Sequence, residues 1–380
     1  MRVIQEGRLP IKAWADKVET GALQQALNLA NLPFAFSHIA LMPDVHQGYG
    51  MPIGGVLATT DAYIIPNAVG VDIGCGVTAL KTDVTKISKK EVEIILKKAK
   101  ALIPVGFKHN KKPQEWDGFH SVPDISIIKK ELQSAKHQLL SLGSGNHFFS
   151  IEQGDDGQIW LMVHSGSRNI GLKVASQYNN IAKKLNQKSK IVPKEFDLAP
   201  LSLGTQEGNE YLEAMSFCLK FAKANRELII GKFFKVFDEV MNAKIIKLID
   251  CHHNYASIEE HFGKEVVIHR KGAIKAKTGQ IGIIPGSMGT PSYVVEGLGN
   301  PNSFYSCSHG AGRVMSRKQA NKVITEEMAN KAMQDIFFDG WKGDLSEAPM
   351  AYKDIDQVIN IQNDLIKPLT KLTPLGVMKG

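Results

Sequence analysis

GYGMPIGGVLATTDAYIIPNAVGVDIGCG, residues 48–76, carries seven of the 34 glycines of a 380-residue chain within 29 positions. Backbone with so few Cβ atoms either turns sharply or lets a ligand approach closely. Short apolar runs rich in β-branched residues lie in and around this stretch, and they predict buried strands over residues 39–42, 53–60, 69–73 and 77–84. The stretch therefore predicts a group of strands joined by tight turns.

Beyond this stretch, helical and strand patterns are interspersed along the chain. Ser88 and Glu91 have the S-x-x-E spacing of a capping box ahead of an apolar helical face, so a helix is predicted to begin there. Further helices are predicted over residues 126–142, 172–185, 210–240, 317–336 and 354–369, strands over residues 147–151, 159–164, 244–251, 266–270, 281–284 and 293–295, and a surface connection over residues 183–192. Because the order lacks a regular βαβ alternation, one α+β domain is predicted rather than a doubly wound sheet.

The composition is that of a soluble globular protein. Hydrophobic residues make up 43% of the chain and charged residues 22%, which allows a sizeable core and excludes wholesale disorder. The apolar runs are far shorter than the roughly 18 residues of a membrane-spanning helix, and the N-terminal residues lack the apolar segment of a secretory signal. We therefore expect a cytoplasmic protein with no membrane association.

Cysteine use and charge narrow the function classes. Four cysteines lie far apart with no CxxC pair, which excludes a disulfide scaffold and favours a reducing compartment. The net charge of +8 favours anionic partners, with nucleic acid first among them. A merely solvated basic surface is the alternative.

Asp72-Ile73-Gly74-Cys75-Gly76 places a carboxylate and a thiol three residues apart in a glycine-rich turn. Both side chains can face one cavity, and a thiolate with a carboxylate can form half of a metal site. The alternative is a buried apolar cysteine beside an aspartate that caps the turn. The pentapeptide alone does not decide between them.

Histidines at predicted strand ends, each beside small polar residues, are candidates to complete a metal site. They are His147, His164 and the pair His252-His253. In an extended pair the two side chains point to opposite faces, so only one of His252 and His253 can serve a given cavity. A single histidine is more often structural than a ligand, but several such positions together with one cysteine and one aspartate favour a metal centre.

Ser306-Cys307-Ser308-His309-Gly310-Ala311-Gly312-Arg313 is a second distinctive cluster. Small residues leave room around the imidazole of His309, and neutral imidazole is a competent nucleophile toward phosphorus. Arg313 and Arg317 follow at a spacing of four residues, as phosphate-binding side chains would. The alternative is a loop histidine with two solvated arginines.

Seven segments form an ordered set: residues 44–55 (DVHQGYGMPIGG), 69–76 (VGVDIGCG), 145–148 (GNHF), 164–168 (HSGSR), 285–290 (PGSMGT), 308–313 (SHGAGR) and 351–356 (AYKDID). In this order, and with the terminal Lys379-Gly380, the set resembles the signature blocks of the RtcB family of RNA ligases. One such block would be weak evidence, but the ordered set reaches from residue 44 to the C-terminus.

The resemblance implies an activity and an architecture. Proteins of this family join RNA ends bearing a 3′-phosphate or 2′,3′-cyclic phosphate to 5′-hydroxyl ends, in RNA repair or tRNA splicing. They use GTP and manganese, and they proceed through a histidine–GMP intermediate and an RNA 3′-end activated with GMP. The implied fold is one catalytic domain over residues 1–380, with mixed or antiparallel sheets flanked by helices around a central metal and nucleotide cleft.

Carried over to this sequence, the resemblance assigns roles to individual residues. Cys75 would bridge two metal ions, one also held by Asp72 and His147 and the other by His164 and His253. His309 would be the nucleophile that takes GMP from GTP. Nucleotide contacts are implied for Asn146, Phe148, Ser287, Gly312, Tyr352 and Lys379, and RNA phosphate contacts for Arg168, Arg313 and Arg317. The other histidines, including His46 within a signature block, are interpreted as structural or surface residues.

Two features, the metal preference and the residue at position 150, fit the resemblance less well. A cysteine–histidine site prefers zinc to manganese by ligand softness, so Zn²⁺ or Co²⁺ is also a candidate ion. Lys379 is a separate case: by position alone it would be a frayed tail, but the resemblance implies that it folds back onto a nucleotide. Many family members carry glutamate three residues after the histidine of the Asn-His-Phe block, whereas this chain has Ser150 there and Glu152 two residues further on. A carboxylate at the position of Ser150 could read the guanine edge, so the serine there leaves selectivity for GTP over ATP open.

Two alternative functions use the same residues. A metal-dependent phosphoesterase would hydrolyse cyclic phosphates with the Asp/Cys/His cluster without joining ends. A non-catalytic RNA-binding subunit would instead hold a structural metal in a saturated ligand shell.

Overall fold

The computed structural model describes residues 1–60 and 62–380, and these contain nine α-helices and seventeen strands. The strands, in chain order, are β1 (Arg2–Ile4), β2 (Ile11–Ala13), β3 (Ala35–His46), β4 (Ile53–Thr59), β5 (Tyr63–Ile64), β6 (Gly76–Thr82), β7 (Phe148–Gly154), β8 (Ile159–Ser165), β9 (Leu201–Ser202), β10 (Ile245–His252), β11 (Asn254–His261), β12 (Lys264–Lys271), β13 (Ala273–Lys275), β14 (Ile281–Ile284), β15 (Ser292–Gly297), β16 (Ser306–Ser308) and β17 (Ile366–Lys379). The helices are α1 (Thr20–Ala30), α2 (Pro66–Val69), α3 (Lys89–Leu102), α4 (Ser126–Gln138), α5 (Arg168–Ser189), α6 (Gln206–Met241), α7 (Arg317–Val323), α8 (Glu326–Ala332) and α9 (Ile355–Ile361). In this described part of the chain, no helix combines the length and the apolar character needed to cross a bilayer. The mixture of elements confirms the predicted α+β class.

Six strands form one sheet in the order β1-β2-β3-β4-β12-β11, in which β2 and β3 run parallel and the other neighbours antiparallel. The helix α1 packs on this sheet, because Ala26 and Leu29 on its apolar face are fully buried in one cluster with Ile39 and Leu41 of β3. The long strand β3 carries Asp44 near its end into a buried position.

Seven strands form a second sheet, wholly antiparallel, in the order β10-β6-β8-β7-β17-β15-β14. The helices α3 and α6 cover it, with Ile95 of α3 and Phe233 of α6 buried against Phe149 of β7. Neighbouring strands bring their ends together, since Val77 pairs with His164 and His164 pairs with Phe148. The sheet therefore places the residues around Cys75, His147 and His164 side by side.

In and around the glycine-rich segment, three of the four predicted strands are present and one is not. Strands are found near residues 39–42, 53–60 and 77–84, as predicted. The predicted strand over residues 69–73 is wrong, because Pro66 starts the short helix α2 and Gly70, at φ 96°, turns the chain into a loop. Proline suits the first turn of a helix, where its missing N–H is not needed. The capping box is present, with Ser88 and Glu91 bonding each other's backbone N–H groups.

Three predicted boundaries are corrected. The helix predicted over residues 317–336 is two helices, α7 and α8, because Thr325 caps the second one. The last predicted helix ends at Ile361, and residues 366–379 form the strand β17 instead. The predicted connection over residues 183–192 is helical as far as Ser189.

Candidate active site

The loop between α2 and β6 presents Asp72 and Cys75 from a tight turn. The backbone N–H of Cys75 donates to the carbonyl of Asp72 at 3.1 Å, and Gly74 has φ 73°. A Cβ atom on Gly74 would lie 3.0 Å from Cβ of Ala222, so the loop lies directly on α6. Glycine is required here because the turn combines a left-handed backbone with a close approach to the helix.

Arg226 of α6 supports this loop from behind. Its guanidinium is fully buried, donates to the carbonyl of Gly74 at 2.8 Å, and forms a two-pronged ion pair with Asp250 at 2.7 and 2.9 Å. It also lies 3.0 Å from Nδ1 of His252. A buried paired guanidinium holds its partners in a fixed geometry, so Arg226 fixes both the loop and His252. No motif in the sequence marks this residue.

Cys75, His147 and His164 form a buried cluster whose candidate ligand atoms all lie within 4.8 Å of one another. Sγ of Cys75 is 3.4 Å from Nε2 of His147 and 3.3 Å from Nε2 of His164. Oδ2 of Asp72 is 3.0 Å from the same Nε2 of His147. The structure therefore brings four of the five predicted metal-binding residues into direct contact.

The two histidines of the cluster are oriented by backbone carbonyls. Nδ1 of His147 lies 2.9 Å from the carbonyl oxygen of Leu142, and Nδ1 of His164 lies 3.1 Å from that of Asn146. A carbonyl accepts only, so each Nδ1 donates a proton to it, and each Nε2 faces the cluster. This is the arrangement by which proteins prepare imidazole for a metal ion.

His253, the fifth predicted ligand, lies beside the cluster. Its ring centroid is 5.2 Å from that of His164 and 4.7 Å from that of His309. Its Nδ1 is buried without a hydrogen-bond partner in the described chain. His252 faces Arg226 instead, so the structure separates the two neighbouring histidines as the extended backbone requires.

The pKa shifts show how the cluster would receive a cation. Burial and then the nearby Asp72 carboxylate raise the pKa of the Cys75 thiol well above its usual range. Burial lowers the pKa of His164 and His253, which keeps both imidazoles neutral. A divalent ion would reverse the first effect, because a coordinated thiol loses its proton. Thiolate, neutral imidazole and carboxylate are suitable ligands for such an ion, so the donor set and the unpartnered Nδ1 fit a metal centre.

His309 is held by Asp44, a residue to which the sequence analysis gave no role. Oδ2 of Asp44 lies 2.6 Å from Nδ1 of His309 and accepts from the backbone N–H groups of His309 and Gly310 at 3.0 and 3.3 Å. Asp44 is fully buried. Nδ1 therefore carries the ring proton and donates it to Asp44, which leaves Nε2 as the free nucleophilic atom. Asp44 belongs to the first quoted block, but the block gives no sign of its partner 265 residues away.

Asp44→Asn should slow any reaction at Nε2 of His309 by about 10²- to 10⁴-fold, because asparagine favours the wrong ring tautomer. Single-turnover rates of covalent modification at His309 would measure this. Bound-metal content and melting temperature serve as controls, since a merely structural role would change the melting temperature first. A variant that reacts at the wild-type rate would contradict the orienting role.

A cleft beside the Cys75 cluster contains His309. It is lined by His164, by His46, by Arg313 and Arg317, and by all six predicted nucleotide contacts, which are Asn146, Phe148, Ser287, Gly312, Tyr352 and Lys379. Burial lowers the pKa of His46 to about 4, so this ring stays neutral at the cleft wall.

Lys379 reaches the cleft because it belongs to a strand and not to a loose tail. It pairs with Phe148 of β7 at the end of β17, and the backbone N–H of Gly380 donates to the carbonyl of His147 at 3.0 Å. Burial lowers the pKa of Lys379. Its only ion-pair partner within residues 1–60 and 62–380 is Asp344, at 3.9 Å. A lysine in this position is available for an anionic ligand.

Glu347 binds both arginines of the cleft, and no motif in the sequence marks it. Its Oε1 lies 3.2 Å from Nη1 of Arg313 and 2.8 Å from Nε of Arg317, and its Oε2 accepts from the hydroxyl of Tyr352. The guanidinium of Arg313 also lies over the Tyr352 ring, 5.0 Å from its centroid. The third predicted arginine, Arg168, does not line the cleft and contacts Ser141 and Gly106 instead.

Ser150 and Glu152 line one wall of the cleft from β7. The hydroxyl of Ser150 donates to Oε1 of Glu152 at 2.8 Å, and Oε2 of Glu152 is buried without a hydrogen-bond partner in the described residues. Burial raises the pKa of Glu152 to about 7, against a smaller lowering by Ser150 and Ser292. A buried carboxylate oxygen without a partner is costly, so this oxygen is suited to accept from a ligand.

The fold and site define a class of protein: an α+β protein in which a Cys/His/Asp cluster suited to a metal ion adjoins a carboxylate-oriented histidine in an arginine-lined cleft. Comparison with known proteins gives its family. The family model described as tRNA-splicing ligase RtcB matches residues 25–122 and 117–380. The RNA-splicing ligase RtcB of Escherichia coli strain K12 is 38% identical, covering 98% of this chain and 97% of the relative. The tRNA-splicing ligase RtcB of Thermococcus kodakarensis is 32% identical, covering 98% and 95%. The chain belongs to the RtcB family.

Proposed function

We propose that this protein is a GTP-dependent RNA ligase that joins RNA ends bearing a 3′-phosphate or 2′,3′-cyclic phosphate to 5′-hydroxyl ends. The observation that carries the proposal is the shared cleft. His309 and the metal-site residue His164 both line it, and the ring of His253 links them at 4.7 and 5.2 Å. A nucleophile for phosphorus and a metal centre within one cleft are the two parts that nucleotide transfer needs.

The substrate follows from the relatives and from charge. Proteins named RNA-splicing or tRNA-splicing ligase match this chain over nearly its full length. The net charge of +8 favours binding to a nucleic-acid backbone. We take residues 1–380 as one catalytic domain that acts in the cytoplasm on RNA ends, in repair or in tRNA splicing.

The first step would transfer GMP to the protein. Nε2 of His309 attacks the α-phosphorus of GTP, so that an N–P bond forms while the P–O bond to pyrophosphate breaks. Asp44 keeps the proton on Nδ1 and stabilises the positive charge that the ring gains. Arg313, Arg317 and Lys379 would neutralise the phosphates, and Glu347 holds both arginines in place before the nucleotide arrives.

The next two steps would move GMP to RNA and then release it. An oxygen of the RNA 3′-phosphate attacks the phosphorus bound to His309, and the imidazole leaves. The RNA 5′-hydroxyl then attacks the activated 3′-phosphate, and GMP departs as the good leaving group that the bare phosphate lacked. A cyclic phosphate end must first be opened by water.

The metal centre would hold two divalent ions, with Cys75 shared between them. Asp72 and His147 would complete one site, and His164 and His253 the other. When bound, the ions, Mn²⁺ in this proposal, neutralise and orient the phosphates. Ligand softness favours Zn²⁺ for the same residues, and Co²⁺ also suits them, so metal supply would decide the resident ion.

Glu152 is proposed to select guanine. Its unpartnered Oε2 can accept from the N–H groups of the guanine edge, which adenine does not offer in the same pattern. Glu152→Gln should raise KM for GTP about ten- to hundredfold, the usual range for a hydrogen bond to a charged group, and leave KM for ATP unchanged. Glu327→Gln, on an exposed helix, is the matched control. An unchanged ratio of the two KM values would rule out this role.

The same residue predicts a pH dependence. Because burial raises the pKa of Glu152 to about 7, KM for GTP should rise as the pH falls below about 7 and the carboxylate becomes protonated. In Glu152→Gln this part of the pH profile should be lost. Steady-state kinetics from pH 6 to pH 8.5 would measure it.

An end-joining assay tests the function as a whole. Defined RNA fragments with a 3′-phosphate or cyclic phosphate and a 5′-hydroxyl are incubated with protein, GTP and Mn²⁺, and the products are separated by length. Longer RNA supports the ligase. Opened but unjoined ends would show a phosphoesterase, and bound but unchanged RNA would show a non-catalytic RNA-binding subunit.

A further inference from the structure

Phe107 is the most exposed large apolar side chain in the described residues, at 90% of its full accessible area. It lies in the segment Gly106-Phe107-Lys108-His109-Asn110-Lys111-Lys112. The side chains of Lys108, Lys111 and Lys112 are exposed as well, and none of them pairs with an acid in residues 1–60 and 62–380. We refer to residues 106–112 as the rim.

The rim is fixed to the body of the protein. Nδ2 of Asn110 donates to the carbonyl of Leu139 at 2.7 Å, and its backbone N–H donates to that of His137 at 3.0 Å. These bonds hold the middle of the segment against the end of α4. The exposed phenyl ring therefore stands on anchored backbone, which lowers the entropy cost of binding a partner there.

The rim adjoins the candidate active site. The backbone N–H of Gly106 donates to the carbonyl of Gly143 at 2.7 Å, and Nη2 of Arg168 donates to the carbonyl of Gly106 at 3.4 Å. A hollow lined by Gly106 and Gly380 shares Met288 and Lys379 with the main cleft. The hollow thus connects the cleft, past the C-terminus, with Gly106, the residue before Phe107.

We propose that the rim binds single-stranded RNA on its way into the cleft, with a base stacked on Phe107 and backbone phosphates against Lys108, Lys111 and Lys112. This inference rests on the proposed function, which makes RNA the substrate. Exposed aromatic rings among cations are the common means of binding single strands without reading their sequence. The lysine charges match a polyanion, and the continuity with the cleft gives the strand a direction. Arg168, which does not line the cleft, lies between the rim and the metal centre and would contact the same strand.

Phe107→Ala tests the stacking contact. The probe is a short fluorescein-labelled oligoribonucleotide with a 3′-phosphate, and its affinity is measured by fluorescence anisotropy without GTP. We expect about tenfold weaker binding and an equal rise in KM for RNA in ligation, because loss of one stacked base is of that order. Transfer of GMP from GTP to the protein should keep its wild-type rate. Phe107→Trp should retain RNA affinity, since the larger ring also stacks.

The lysines are tested by the salt dependence of binding. The triple variant Lys108→Gln, Lys111→Gln, Lys112→Gln should have a slope of log affinity against log salt that is shallower by about 2. Each lost contact to a single-strand phosphate lowers the slope by roughly 0.7. The matched control replaces the exposed Lys184, Lys188 and Lys194, since Lys188 lies 20 residues beyond Arg168 on the same helix, about 30 Å away. That control should keep the wild-type slope.

Two results would overturn the rim proposal. One is that Phe107→Ala binds RNA with wild-type affinity. This result is also expected if the rim contacts a protein and not RNA. The other is an equal loss in the rim and control lysine variants, which would reflect net charge alone. Both measurements omit GTP, so failure of the rim and failure of the proposed ligase chemistry are seen separately.

Discussion

Replacing His309 with alanine is expected to abolish labelling of the protein by GTP and to reduce RNA joining by at least about 10⁴-fold, the scale of loss when a catalytic nucleophile is removed. The buried carboxylate of Asp44 lies 2.6 Å from Nδ1 of this imidazole, which leaves Nε2 free to act as the nucleophile. Without this imidazole, the N–P bond between protein and nucleotide cannot form. The measurement is incubation with GTP labelled at the α-phosphorus and Mn²⁺, followed by denaturing electrophoresis.

The chemistry of the adduct adds a second criterion. A phosphoramidate is hydrolysed in acid and survives alkali, so the wild-type label should disappear at low pH. His120→Ala, which removes an exposed histidine, is the matched control and should label normally. Labelling that persists in His309→Ala, or a wild-type label stable to acid, would assign the nucleophile to another residue.

Replacing Cys75 with alanine is expected to remove bound metal and every step that depends on it. Sγ of Cys75 lies at the centre of the cluster, 3.4 and 3.3 Å from the two imidazole nitrogens, so its loss affects both ions of the proposed pair. Ligation should fall by about 10³-fold or more, since a metal ion supplies several kcal/mol of charge stabilisation. Metal analysis of protein purified without chelator gives a readout independent of activity, and the variant should hold less than half of the wild-type content.

Cys218→Ala is the matched control for this variant. Its thiol is also buried, but it lies in an apolar cluster of α6 with Tyr211 and Phe221. It should keep full metal content and activity, with only the small stability loss of a buried truncation. A Cys75→Ala protein that binds the wild-type amount of metal and ligates at full rate would disprove the shared-ligand role.

Local patterns predicted much of the fold. The capping box at Ser88 and the apolar face after it fixed the start of α3, because both partners lie within one turn. The strand β17 was missed, since Pro368 and Pro374 lower the strand signal of residues 366–379. Each proline adjoins a register shift in the pairing of β17, which tolerates a residue without an N–H group. This accommodation depends on the neighbouring strands, which the segment itself does not specify.

In the site, too, local sequence patterns indicate some features, and others depend on residues that are distant along the chain. By itself, the sequence determined which chemical groups are available: a thiol and a carboxylate in a glycine turn, histidines at strand ends, and a histidine among small residues. Only the tertiary structure decided their partners. It turned His253 toward His309 and His252 toward Arg226, and it placed Asp44 on His309 and Glu347 between two arginines. Such contacts join residues that are distant along the chain, so their geometry is set by sheet register and helix packing, and no local spacing encodes it.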